Sequence, residues 1–221
     1  MTTIVELAED RVVEGVFGVA RKQRLRTKGG TPYLALELVD PTSLTPAIRR
    51  DADELMGFLE FLVGEISHPG LSATVQALLD ARDLATFPAT PDDHHSYAGG
   101  LLEHTVGVAT ICREVAQLHP RLRADLLLAA ALVHDAGRTV ELGPPPIFAP
   151  TAEGRLLGHV HLGVRLVEEH GRGLEPSLRA ELVHAVASHH DGRAARTAEA
   201  AVLHHANALD AAAATRPVPD L

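Results

Sequence analysis

His134 and Asp135 stand side by side after an uninterrupted apolar run, Leu126–Val133. An imidazole next to a carboxylate can hold a divalent metal, orient a water or move a proton. Neutral imidazole is a metal ligand near neutral pH, and Asp adds a hard oxygen. The apolar run predicts a helix buried on all sides. At the end of such a helix the pair needs partners or a metal, because unpaired groups of this kind cost several kcal/mol of desolvation. A lone pair is also met as a core imidazole bonded to its neighbour. What decides between the two is whether other ligands converge on it.

Four further segments offer candidates. His104 falls on the apolar face of a helix that follows Gly99-Gly100, three residues after Leu101 and four before Val108. His159 lies beside the stripe Leu156, Val160, Val164 and Val167, in a helix from about Glu153 to His170. His189 and His190 come into register after Leu182 and Val186, in a helix that starts near Pro176 and stops at Asp191-Gly192. In the last helix, from near Thr197, Leu203, Asn207, Asp210 and Ala214 share a face. Consecutive helices that each place a metal-competent residue toward the core can build one site between them. Mixed imidazole and oxygen ligands suit one or two ions of Mn, Fe, Co, Ni or Zn. With one cysteine in the chain, a Cys-based structural zinc is excluded.

The elements that position these residues are mostly helical. Hydrophobic residues make up 46% of 221, aromatics only 3%, so the core is aliphatic and rich in helix formers. Cys112, on an apolar face, rules out an internal disulfide and points to a reducing, cytoplasmic setting. No stretch reads as a signal peptide or a membrane span. All 14 histidines lie at or beyond His68, so the chemistry belongs to the later part of the chain. Charge is uneven. The first 50 residues carry 8 Lys/Arg against 6 Asp/Glu, and the rest 12 against 23. That acidity argues against general nucleic-acid coating but permits a local basic contact.

Taken in order, Arg11–Ala20 and Thr31–Asp40 alternate and read as strands of a hairpin. Its tip would be RKQRLRTKGG, with Arg21, Lys22, Arg24, Arg26 and Lys28. Such a tip is either a solvated loop or a contact for the phosphates of single-stranded RNA or DNA. Leu44–Arg50 is a candidate third strand, held to an edge by Pro46. From Asp53 the period turns helical, and His68-Pro69-Gly70 interrupts it. Phe87–Asp93 is a Pro-rich linker, and Asp125 is placed to cap the buried helix. The expected organisation is a β appendage over 1–52, a helical linker over 53–93 and a helical domain over 94–215. The fold class is therefore mainly α, with a small N-terminal β part.

His104, then HDAGR from His134, then a downstream amide or acid, resembles the HD superfamily of metal-dependent phosphohydrolases. The wording HHSYAGGLLEHT, LLGH and SHHDG is similar to the YhaM-type 3′→5′ exoribonucleases within it, from about Leu84 to Ala211. That resemblance implies an HD helical bundle preceded by an OB-fold, of which the hairpin would be the start. It implies that His104, His134 and Asp135 hold a divalent metal. It gives His159, His189 and His190 to a second metal or to phosphate, with Asp135, Arg138 and His159 at the reacting phosphate. Asp135 would bridge metals or take a proton, and Arg138 stands where the family pattern has Lys.

Two departures bear on function. The metal set in this family ends in Asp, where this chain has Asn207; an amide oxygen coordinates but brings no charge. Three strands at most precede Asp53, whereas an OB barrel needs five. The implied activity is phosphodiester hydrolysis in single-stranded RNA or DNA, by a protein without a membrane part. Hydrolysis of small nucleotides and binding without turnover are the alternatives, and a homo-oligomer is left open.

Overall fold

The computed structural model describes residues 18–27, 29–30, 32–39, 50–91, 93–145 and 147–215. The chain divides into two compact units, Met1–Pro46 and Ala47–Leu221.

In the first unit, β1 (Gly18–Arg26) pairs antiparallel with β2 (Pro32–Val39). A register irregularity lies between Val19 and Arg21. The basic segment is therefore strand rather than tip. Arg21, Lys22, Arg24 and Arg26 oppose Glu37, Leu36, Leu34 and Pro32. The ladder begun at Gly18 runs on to Arg26, so the charged run is paired backbone. Lys28, the earlier part of the expected first strand and most of the expected third strand lie outside the described residues.

The second unit is helical: α1 (Ala52–Gly64), α2 (Pro69–Asp80), α3 (Gly100–Leu118), α4 (Ala124–Val133), the short α5 (Arg138–Glu141), α6 (Ala152–His170), α7 (Pro176–Ser188) and α8 (Ala198–Thr215). Asp51 caps α1 through the Glu54 amide. His68-Pro69-Gly70 starts α2 rather than breaking the chain: the His68 ring accepts from Leu71 N, and Pro69 takes the first helical position. Every residue of Leu126–Val133 is buried, as a uniformly apolar helix requires. Packed against α1, α2, α3, α7 and α8, α4 is the axis of the core. Each of its Leu side chains contributes about 1.5–3 kcal/mol by leaving water.

Two expectations fail here for local reasons. Asp125 does not cap α4; its carboxylate accepts from Ser67 N and His68 N at 3.2 and 2.7 Å, tying the α1–α2 turn to α4. Leu156 is not on an inner face and is 85% exposed. Gly158, at φ 68° and ψ 162°, kinks α6 and moves the first turns out of register with Leu162 and Leu166. Among the described residues, no helix is long and apolar enough to cross a membrane.

Candidate metal centre

The C-terminal ends of α4 and α7 supply two histidines in the same way. His134 follows α4 directly and His189 follows α7. Each ring donates from Nδ1 to the carbonyl three residues back, Ala131 at 2.8 Å and Val186 at 2.6 Å. That bond fixes the tautomer and leaves each Nε2 with its lone pair. Both rings are fully buried. Burial holds His134 down to about 3, so it stays neutral.

His104, in the second turn of α3, faces α8. Its Nε2 lies 2.9 Å from Asn207 Oδ1 and 3.3 Å from His134 Nε2. Its Nδ1 lies 2.6 Å from Asp210 Oδ2. Asp210 thus orients His104 from behind, one turn past Asn207 on the same face. A helix rotation is not needed to give it a role.

Asp135 sits between two groups of rings. Oδ2 is 3.7 Å from His104 Nε2 and 3.6 Å from His134 Nε2. Oδ1 is 3.3 Å from both His159 Nε2 and His189 Nε2. Burial alone would raise its pKa, but His134, His189, His159 and Arg138 hold it well below the usual carboxylate range. Ligand atoms of His104, His134 and Asp135 lie within 4.8 Å of one another, as do those of Asp135, His159, His189 and His190.

His159 reaches the site from just after the Gly158 kink. Its Nε2 is 2.8 Å from His190 Nε2. Glu141 holds it from the other side, accepting from His159 N at 3.2 Å and lying 3.7 Å from Nδ1. Arg138 donates to the same Glu141 at 2.7 Å. Burial would raise the Glu141 carboxyl, but His159 and Arg138 bring it down to about 2. Gly137 makes the approach possible, since a Cβ there would stand 2.0 Å from the His159 carbonyl. His190 is exposed overall, and partial desolvation of its ring together with neighbouring His189 brings its pKa down to about 4.

The residues singled out in the helical unit, His104, His134, Asp135, Arg138, His159, His189, His190 and Asn207, thus come together. In the other unit Arg24 and Arg26 are exposed, and Arg26 bonds the Gly30 carbonyl at 3.1 Å. Glu141 was missed in the sequence; its signal was an acid three residues after Arg138, in reach of it on one helical turn. Asp135 Oδ1 and His189 Nε2 are buried without hydrogen-bond partners among the described residues. Two such atoms facing each other are acceptors, and acceptors converging in a buried space fit a divalent cation.

Residues 101–212 match the family model described as an HD domain, and residues 66–121 one described as a putative helicase. The 3′-5′ exoribonuclease YhaM of Bacillus subtilis (strain 168) is 27% identical over 212 residues, 91% of this chain and 67% of that protein. YhaM of Bacillus velezensis is 30% identical over 170 residues, 72% of this chain and 54% of that protein. YhaM of Halalkalibacterium halodurans is 28% identical over 173 residues, 76% of this chain and 54% of that protein. The chain therefore spans between about half and two thirds of the length of these relatives. No solved structure is significantly similar to it.

Proposed function

The chain belongs to the HD domain family, and from that premise we propose that its helical unit is a metal-dependent phosphohydrolase that removes nucleotides from the 3′ end of single-stranded RNA. The observation that carries the reading is Asp135, whose two oxygens face separate groups of imidazoles. His104, His134, Asp135 and Asn207 would hold one divalent ion, and Asp135, His159, His189 and His190 a second. Mn, Fe, Co, Ni and Zn fit this donor set. When bound, such ions supply Lewis-acid polarisation of the phosphoryl group and an acidified water.

The remaining work falls to the chain itself. His134 and His189 keep fixed tautomers through their backbone bonds. Asp210 and Glu141 orient His104 and His159. Arg138, held by Glu141, puts a planar cation near the place of the reacting phosphate, and its Nε is free of hydrogen bonds among the described residues. The names of the relatives favour RNA, and Arg21, Lys22, Arg24, Arg26 and Lys28 would hold its phosphates. The acidic balance of residues 51–221 favours the second reading, a small-nucleotide substrate.

The test is incubation of Mn²⁺-loaded protein with end-labelled single-stranded RNA and with a nucleotide panel. Stepwise shortening from the 3′ end is expected. Release of phosphate from nucleotides with the RNA left whole would replace the first reading by the second. Alanine at all five basic positions should flatten the salt dependence of RNA binding by a slope of about 0.7 per lost contact. It should leave hydrolysis of a mononucleotide analogue unchanged.

A further inference from the structure

Beside His104 lies a second group of imidazoles. One ring nitrogen each of His94, His95 and His104 lies within 4.8 Å of the other two. The His94 and His95 rings stand 4.8 and 5.5 Å from the His104 ring, centre to centre. His94 Nε2 and His95 Nδ1 are buried and have no hydrogen-bond partner among the described residues. Both side chains are at least nine-tenths buried, at 9% and 8% exposure. Two orphaned imidazole nitrogens in one place are costly unless something binds them.

The backbone is held for this arrangement. His95 has φ 48°, a left-handed conformation that non-glycine residues rarely adopt. Its carbonyl is fixed by Ala89 N at 3.1 Å and the His94 carbonyl by Thr90 Oγ1 at 2.8 Å. Gly100 lets α3 start against it, because a Cβ there would lie 2.0 Å from the His95 carbonyl. Strain that the surroundings over-determine is a pointer to a ligand site.

The neighbouring charges decide the ligand's sign. Asp210 Oδ2 is 3.7 Å from His95 Nδ1. Asp93 Oδ2 is 3.4 Å from His94 Nδ1, the partner that makes this nitrogen the donor and leaves Nε2 with its lone pair. Glu103 lines the adjoining cavity of about 340 Å³, together with Asp93, Tyr97 and Thr215. Carboxylates and lone pairs repel a phosphate and attract a cation. We propose that His94 and His95, with Asp210 beside His95, form a further cation site next to His104, selective for a divalent ion with affinity for imidazole, such as Zn²⁺, Co²⁺ or Ni²⁺. The proposal does not rest on hydrolysis; a domain that bound RNA without turnover would hold this ion equally.

The experiment is a count of bound Co²⁺ equivalents on metal-stripped protein, by equilibrium dialysis and visible absorption. His94→Gln and His95→Gln should each lose one equivalent relative to wild type. His134→Ala should keep that equivalent while losing metal around Asp135. Asp93→Asn, which leaves the loop's backbone bonds in place, should weaken the same equivalent by about 10- to 100-fold. It carries the test if the His95 variant does not fold. Equal counts in wild type and the folded variants, or loss of every equivalent in His134→Ala, would overturn the proposal.

Discussion

The two oxygens of Asp135 look into unlike surroundings. On the Oδ2 side His104 and His134 are fully buried and Asn207 is 6% exposed. The buried end of α4, the Ala131 carbonyl and the half-buried Asp210 hold this half. On the Oδ1 side His190 is exposed, and His159 enters from a kinked helix under the Arg138–Glu141 pair. One half is closed; the other keeps His189 buried but is open at His190 and is assembled from a turn, a kink and an ion pair. The lesson is a division of labour. On the proposed reading the closed half would fix an ion and the substrate would come in across the open half.

The strongest way to break this contrast is to remove one imidazole from each half. His134→Ala should lower metal retention and RNA turnover by more than about 100-fold, beyond what loss of an outer partner costs. His190→Ala should keep the ion of the closed half and lose turnover by about 10-fold. Elemental analysis and turnover on labelled RNA, run together, check both. Equal losses in the two variants would erase the distinction.

Acid probes both halves, since His190 on the open side is also held down, to about 4. His134 titrates at about 3 when folded, against an unfolded value of 6.5. Between pH 6.5 and 3 the unfolded chain binds the extra proton, so stability falls as pH falls through this window. Asp135 and Glu141 are depressed instead, so their contributions are lost only below the ordinary carboxylate range. Metal-free protein should therefore lose about 2 kcal/mol of stability from this histidine between pH 6.5 and 5. Urea unfolding at the two values measures it, and His134→Ala should flatten the dependence. A midpoint that rises on acidification contradicts a neutral, closed half.

The smallest effect sharpens the contrast. Asn207→Asp adds a charge to the closed half alone. Attraction of a dication in a partly buried site is strong, but desolvation and the nearby carboxylates of Asp135 and Asp210 offset much of it. The expected net is about tenfold tighter binding of one Mn²⁺, about 1.4 kcal/mol, read by calorimetric titration. An unchanged first equivalent would place Asn207 outside the ligand set.

Much of this was legible in the residues. Leu126–Val133 could only be a helix buried on all sides, and the stripes around His104 and Asn207 set which faces look inward. Residue type carried the site, because few side chains other than His, Asp and an amide repay burial beside one another. Periodicity misled where a single backbone angle changed the register. Gly158 carries no side chain to announce its kink, so Leu156 read as core and stands in solvent. The basic run read as a tip because charge says nothing about how far a ladder extends, and β1 runs through it.

By itself the sequence determined the helical class, the buried axis and which polar side chains of the helical unit turn toward Asp135, since these follow from local periodicity and side-chain chemistry. The tertiary structure alone decided which oxygen of Asp135 serves which histidines. It also decided that Asp210 and Glu141 orient rings from other helices, that Asp125 ties a turn rather than capping its own helix, and that His94 and His95 stand beside His104. Those are pairings between side chains far apart in the chain, and their geometry is fixed only when the helices pack.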